Sequence, residues 1–290
     1  MPKGLLAILA LALPLLGGSA RAATITVVAA ENFYGDIARQ IGGDRVVVDS
    51  ILSNPNQDPH LFEASPSTAR ALADARVVIY NGVDYDPWMV RLLGADDGTT
   101  RRVIVAGDLV HRRPGDNPHF WYDPATMPIV ARAIATALIA EDPGHRADYA
   151  RRLDAVLASL EAIDGEVNGI RAGHAGATVT ASEPVFGYMA TALGLQMRDS
   201  RFQLSIMNDT EPSASDVAAF EEGLRDRKAK IMFFNNQVVD PTVMRLLGLA
   251  RKAGIPVVGV SELEPLDTPY QAWMLGTLQA VDAALGPPGK

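Results

Sequence analysis

From residue 25 onward the chain alternates short apolar runs with longer stretches whose apolar positions recur every three or four residues. The runs at 25–30, 45–52, 76–80 and 102–106 predict strands, and the stretches at 32–41, 65–74, 88–93 and 124–139 predict helices. Strand, helix, strand in that order is the pattern of a parallel α/β sheet, because parallel neighbours need a crossover connection. After Pro143-Gly144 the pattern changes. Tyr149, Leu153, Val156, Leu157, Leu160, Ile163, Val167 and Ile170 step by three and four to about residue 171, so one long helix turns a single apolar stripe inward. With α/β units on both sides, this stripe predicts a rigid strut between lobes rather than a coiled coil. Alternation then resumes, with strands at 177–181, 195–198, 230–235 and 256–260 and helices at 185–193, 213–225, 242–253 and 270–285.

The expected fold class is therefore α/β, with two Rossmann-like lobes of parallel sheet joined by one long helix. The expected division is a leader at 1–22, a first lobe at 23–142, the linking helix at 143–173 and a second lobe at 174–290. The leader is expected because Lys3 precedes an apolar run, 4–16, too short to span a bilayer, and Ala20-Arg21-Ala22 has the small-x-small pattern that a signal peptidase accepts. Cleavage after Ala22 would export the chain. A length of 290 residues suits two lobes better than one core. The net charge of −8 argues against a nucleic-acid partner, which needs a basic face, and is compatible with a cation. The chain has no cysteine, so neither thiolate ligation nor a lipid-modified cysteine is available. A product free in the periplasm, and monomeric, is expected.

Chemistry enters with two turns, Asp58-Pro59-His60 and Asn117-Pro118-His119; no other histidine follows a proline. Proline fixes its own φ and biases its predecessor toward extended geometry, so each turn presents imidazole from a stiffened loop. The nearby acid or amide can accept from the second ring nitrogen and set the tautomer for metal binding. Taken singly, each is also an ordinary turn start with a solvated histidine. Acids recur where strands give way to helices, at Glu183-Pro184, Glu211-Pro212 and Glu262. Each alone reads first as a helix start favoured by the dipole. Two imidazoles from one lobe and carboxylates from the other would meet across a cleft, where open α/β sheets place ligands. Mixed nitrogen and oxygen ligation suits zinc, manganese or ferrous iron, and four protein ligands would close the shell, which means capture rather than catalysis. His145 and His174 read as solvated, His111 as an ordinary loop histidine or the remnant of a metal-gathering loop, and Trp121 as a packing residue that can also seal the site beside His119.

These residues stand in a wider set: Asn32-Phe33-Tyr34, Asp58-Pro59-His60 followed by Pro66-Ser67, Tyr80-Asn81-Gly82, and the block Asn117-Pro118-His119-Phe120-Trp121-Tyr122-Asp123-Pro124. The set continues with Ser182-Glu183-Pro184-Val185-Phe186-Gly187-Tyr188, Glu211-Pro212-Ser213 and Ile255-Pro256-Val257 leading to Ser261-Glu262. Over essentially the whole mature chain, this resembles the zinc/manganese substrate-binding proteins of bacterial ABC importers. The resemblance implies one divalent metal ion between the lobes, His60 and His119 as first and second ligands, Glu183 as third and Glu262 as fourth. Glu264 and Asp267 share the loop of Glu262 and compete for its role. It also implies delivery to a membrane permease with its ATPase, and no enzymatic activity. Relatives that import zinc often offer a third histidine and a long His-rich loop; here the third position is Glu183 and the loop holds only His111, which leaves Zn²⁺ and Mn²⁺ level, with Fe²⁺ also admissible. The competing readings are an exported metal-dependent hydrolase with one open ligand position and a binder of a metal chelate or organic solute. No Ser-centred nucleophile motif or His-Glu-x-x-His helix supports the first, and an aromatic-lined pocket would favour the second.

Overall fold

The strand β1 (Ile25–Glu31) is buried almost throughout, as a central strand covered by helices on both faces must be. It sits inside a four-stranded parallel sheet with β2 (Val46–Leu52), β3 (Val77–Tyr80) and β4 (Arg102–Val105) in the order β2-β1-β3-β4. The edge strand β2 instead alternates exposed and part-buried residues. The structure, a computed structural model, describes residues 24–94, 100–238 and 240–287, so the leader expected at 1–22 lies outside the described residues. The helices of this half are α1 (Asn32–Gly42), α2 (Pro66–Ala73), α3 (Pro87–Gly94), α4 (Ala106–Leu109) and α5 (Thr126–Glu141).

After α6 (Arg146–His174) the same plan recurs. The strands β5 (Thr178–Ala181), β6 (Gln196–Met197), β7 (Met232–Asn235) and β8 (Val257–Val260) form a second parallel sheet in the order β6-β5-β7-β8. Its helices are α7 (Gly187–Ala192), α8 (Ser200–Met207), α9 (Ala214–Arg225), α10 (Pro241–Ala253) and α11 (Tyr270–Leu285). In both sheets the connections reverse direction between the first strand of the half and its second neighbour, between β1 and β3 and between β5 and β7. Loops diverging at such a switch point leave a crevice at the carboxyl ends of the strands.

The strut is held from both sides. Tyr149, Val156, Leu160, Ile163, Val167 and Ile170 of α6 are buried, and the helix packs on α1 and α5 and on the closing helix α11. One hydrophobic cluster consequently runs from β1 through α6 into the second half, while a smaller one under α8, α9 and α10 gathers around Phe202, Phe220 and Leu246. Ile163→Ala is expected to lower the unfolding free energy by about 2–5 kcal/mol, the usual cost of deleting a buried Ile side chain that leaves a cavity. A urea midpoint unchanged from wild type would show that the stripe is not part of this seal.

The helix α8 stands where the pattern predicts no element. Only Phe202 and Gln203 of its eight residues are buried, too few to display a period. It begins from Asp199 in left-handed geometry (φ 58°), a turn anchored by the Thr180 hydroxyl donating to the Asp199 carboxylate at 2.8 Å. Its C-terminal residues Ile206 and Met207 reach the crevice.

Candidate metal centre

His60 lies in a 3₁₀ turn, Pro59–Leu61, that follows β2, and the Asp58 carboxylate caps this turn by accepting the His60 N–H at 2.9 Å. His119 precedes a second 3₁₀ turn, Phe120–Tyr122. Its partner Asn117 has a fixed orientation, because the Asn117 Nδ2 donates to the Pro184 carbonyl at 2.7 Å. The Asn117 Oδ1 must then face His119, where it accepts the backbone N–H at 3.1 Å and the ring Nδ1–H at 2.7 Å. That places the free lone pair on His119 Nε2.

Glu262, in the loop after β8, completes a convergent trio. Its Oε2 lies 3.3 Å from His60 Nε2 and 3.3 Å from His119 Nε2. Charge-assisted N–H···O bonds are shorter, about 2.7–2.9 Å. An edge of about 3.3 Å is what bonds of about 2.0–2.1 Å make around a tetrahedral zinc. Both Nε2 atoms are buried with no hydrogen-bond partner, and one atom from each of the three residues lies within 4.8 Å of the others. Buried polar atoms are normally satisfied, so two imidazole nitrogens without protein partners facing one carboxylate fit a metal cation.

Glu183, extended at the start of the turn Pro184–Phe186, stands one side chain away from this trio. Its carboxylate accepts from Asn235 Nδ2, which also donates to Glu262 Oε1 at 2.7 Å. Glu183 and His60 line the same cavity. The two competing acids do not join the trio: Glu264 has its backbone tied to Asn32 on the first half, and Asp267 is exposed with a φ of 55°. His111 is exposed, His145 pairs with Asp142 at 2.7 Å and His174 stands 3.8 Å from Asp282, none of them in the trio.

Three residues that the sequence does not single out hold this arrangement. Tyr85 donates its hydroxyl to Glu262 Oε2 at 2.9 Å. Gln237 accepts the N–H groups of Glu262 and Leu263 on Oε1, while its Nε2 donates to the Gln57 carbonyl at 2.7 Å, beside the His60 turn. Asn235 joins the two acidic loops. Tyr85 follows Gly82, whose positive φ of 77° turns the chain after β3, and the buried Asp86 carboxylate fixes that turn by accepting the N–H groups of Asn81 and Gly82. The ring of fully buried Trp121 lies 5.2 Å from the His119 ring and closes the inner wall against water. Further bonds join the halves around the site: Tyr188 Oη donates to the Asn117 carbonyl at 2.9 Å and Tyr122 Oη to the Ser261 carbonyl at 2.8 Å.

Electrostatics divide the four candidate residues into two classes. Burial works against a charged His60, but the adjacent Glu262 carboxylate, helped by Asp58 and Glu183, pushes its pKa up to about 9. Burial of His119 outweighs the pull of Glu262 and lowers its pKa, keeping it neutral. For Glu262, burial raises the pKa, but the two imidazoles beside it, His119 and then His60, hold the carboxyl well below the usual carboxylate range. Burial and the Glu262 charge raise Glu183 to about 8, with the Asn235 bond in partial opposition. The crevice opens to solvent through a cavity of about 630 Å³ whose lining includes Asp58, Asp209, Glu211 and Asp240 and, among the described residues, no Phe, Tyr or Trp.

The family model described as the periplasmic component A of zinc-uptake complexes matches residues 27–284. The chain is 26% identical over 254 residues to the iron ABC transporter substrate-binding lipoprotein MtsA of Streptococcus pyogenes serotype M1, covering 82% of this chain and 80% of that protein. It is 26% identical over 250 residues to the manganese ABC transporter substrate-binding lipoprotein PsaA of Streptococcus pneumoniae, covering 80% and 78%. Among solved structures, the periplasmic zinc binding protein TroA from Treponema pallidum shares the fold with a TM-score of 0.77 at 20% identity, over 90% of this chain and 99% of that one.

Proposed function

Because this chain belongs to the family of periplasmic zinc-uptake component A proteins, we propose that His60, His119, Glu183 and Glu262 hold one Zn²⁺ or Mn²⁺ ion as cargo. The chain is a substrate-binding component that captures a divalent metal and delivers it to an ABC importer, not an enzyme. The observation that carries the site assignment is the pair of unpartnered Nε2 atoms 3.3 Å from one Glu262 oxygen. Two nitrogens and two carboxylate oxygens close a four-ligand shell and leave no position for an activated water. A lining of acids and polar or aliphatic side chains around His60, without Phe, Tyr or Trp among the described residues, supports a bare cation over an organic chelate. Its acidic mouth draws cations inward, and the partner for delivery is a membrane permease with its ATPase. MtsA and PsaA are named lipoproteins; with no cysteine to carry a lipid, this chain is proposed to act free in the periplasm.

The experiment is a titration of chelator-stripped protein with zinc and manganese separately, following bound metal and melting temperature. An ion that binds only the folded state adds about 4 kcal/mol at a thousandfold excess over its Kd, which appears as a raised Tm. One equivalent bound per chain is expected. A chain that binds neither ion, with an unmoved Tm, refutes the assignment.

A further inference from the structure

Asn235 ends β7, the strand that lies between β5 and β8, and the loops leaving those two neighbours carry Glu183 and Glu262. Its side chain is only 1% exposed, and both of its polar atoms are engaged. The Oδ1 accepts the Gln237 N–H at 3.1 Å, which leaves Nδ2 facing the two carboxylates. One N–H goes to Glu262 Oε1 at 2.7 Å and the other to Glu183 Oε2. Each acid therefore has one oxygen held by the same amide. The remaining oxygen of Glu262 is the one that faces both imidazoles. Turning either carboxylate so that both oxygens reach one ion would break a bond to a charged acceptor, among the stronger hydrogen bonds a protein makes.

We propose that Asn235 is a specificity-determining residue that limits Glu183 and Glu262 to one metal-facing oxygen each and thereby favours zinc over manganese. The inference rests on the proposed ligand set of the preceding section. Zinc is satisfied by four nitrogen and oxygen ligands, whereas manganese favours a six-coordinate, oxygen-rich shell. Selectivity is a difference of two affinities, so a residue that denies extra oxygens to one ion contributes to it without touching either.

The test compares the wild-type protein with Asn235→Ala and Asn235→Leu, the second retaining side-chain volume, in chelator-competition titrations with zinc and with manganese at one fixed pH. Both variants are expected to lower the zinc-to-manganese affinity ratio at least tenfold, with the zinc-edge absorption spectrum moving from four-coordinate toward higher coordination. The Tm of each metal-free variant reports its folding independently. Equal weakening of both ions, with an unchanged ratio and spectrum, would make Asn235 a structural residue only and overturn the proposal. Wild-type protein that binds neither ion would be a different failure, that of the ligand set itself, and the proposal would fall with it.

Discussion

His119→Ala is expected to weaken metal binding by about two orders of magnitude or more. Apparent binding energies of about 10–16 kcal/mol for four-ligand zinc sites correspond to roughly 3 kcal/mol per ligand, and each 1.4 kcal/mol is a tenfold change in Kd. The geometry sets His119 above His60 in this respect. The His119 side chain has no exposure, whereas 24% of His60 is exposed, so bulk water replaces a missing His60 ligand more readily. Removing the His119 ring also leaves the Asn117 Oδ1 without its Nδ1–H partner, which loosens the contact from Asn117 to Pro184 and with it the Glu183 loop. Competition titration against a chelator of known affinity measures the loss, and the Tm of the metal-free variant separates it from a folding defect. His145→Ala, far from the trio, is expected to bind as wild type does. A His119→Ala protein within threefold of wild-type affinity would remove this histidine from the site.

Much of this arrangement is legible in the sequence, and the remainder is hidden for identifiable reasons. The strand-helix alternation and the stripe from Tyr149 to Ile170 are readable because periodicity reports burial directly, and the structure places these residues in two parallel sheets and in α6. The two Pro-His turns are readable because proline makes their rigidity local. The choice between Glu262 and Glu264 is not readable, since residues two apart share a face of an extended segment. Distant partners bear on it: Gln237 holds the N–H groups of Glu262 and Leu263, and Asn32 from the other half holds the backbone of Glu264. Asn235 and Gln237 escape notice for the same reason. Their side chains act on residues 27 and 180 positions away, and the only local sign is a polar residue closing the apolar run Met232–Asn235. An imidazole of ordinary pKa would lose metal only below about pH 6, and the acids around His60 move that range upward.

Affinity is expected to rise steeply with pH up to about 8 or 9. In the metal-free protein at pH 7 the His60 ring, with a pKa of about 9, and the Glu183 carboxyl, at about 8, both carry protons. His119 is kept neutral by burial, and Glu262 is ionised. A metal ion needs the imidazole lone pair and the carboxylate charge, so its entry at pH 7 expels close to two protons. Two protons exchanged correspond to about a hundredfold gain in affinity per pH unit near neutrality, falling to about tenfold once Glu183 has ionised and to none above the His60 value. The stability of the metal-free chain moves the opposite way. Both pKa values are raised above the ordinary 6.5 and 4.5, so the stabilisation from these two protons is complete below the unfolded values and is lost as pH rises through about 8 and 9. The depressed Glu262 value acts only at the acid end, where its contribution disappears as pH falls through the folded value. The gap in Tm between metal-bound and metal-free protein should accordingly widen from pH 6 to pH 8. Calorimetric titrations in two buffers of different ionisation enthalpy count the released protons directly. Proton release near zero at pH 7, or an affinity that is flat between pH 6 and 8, would mean that the ion does not displace protons from His60 and Glu183.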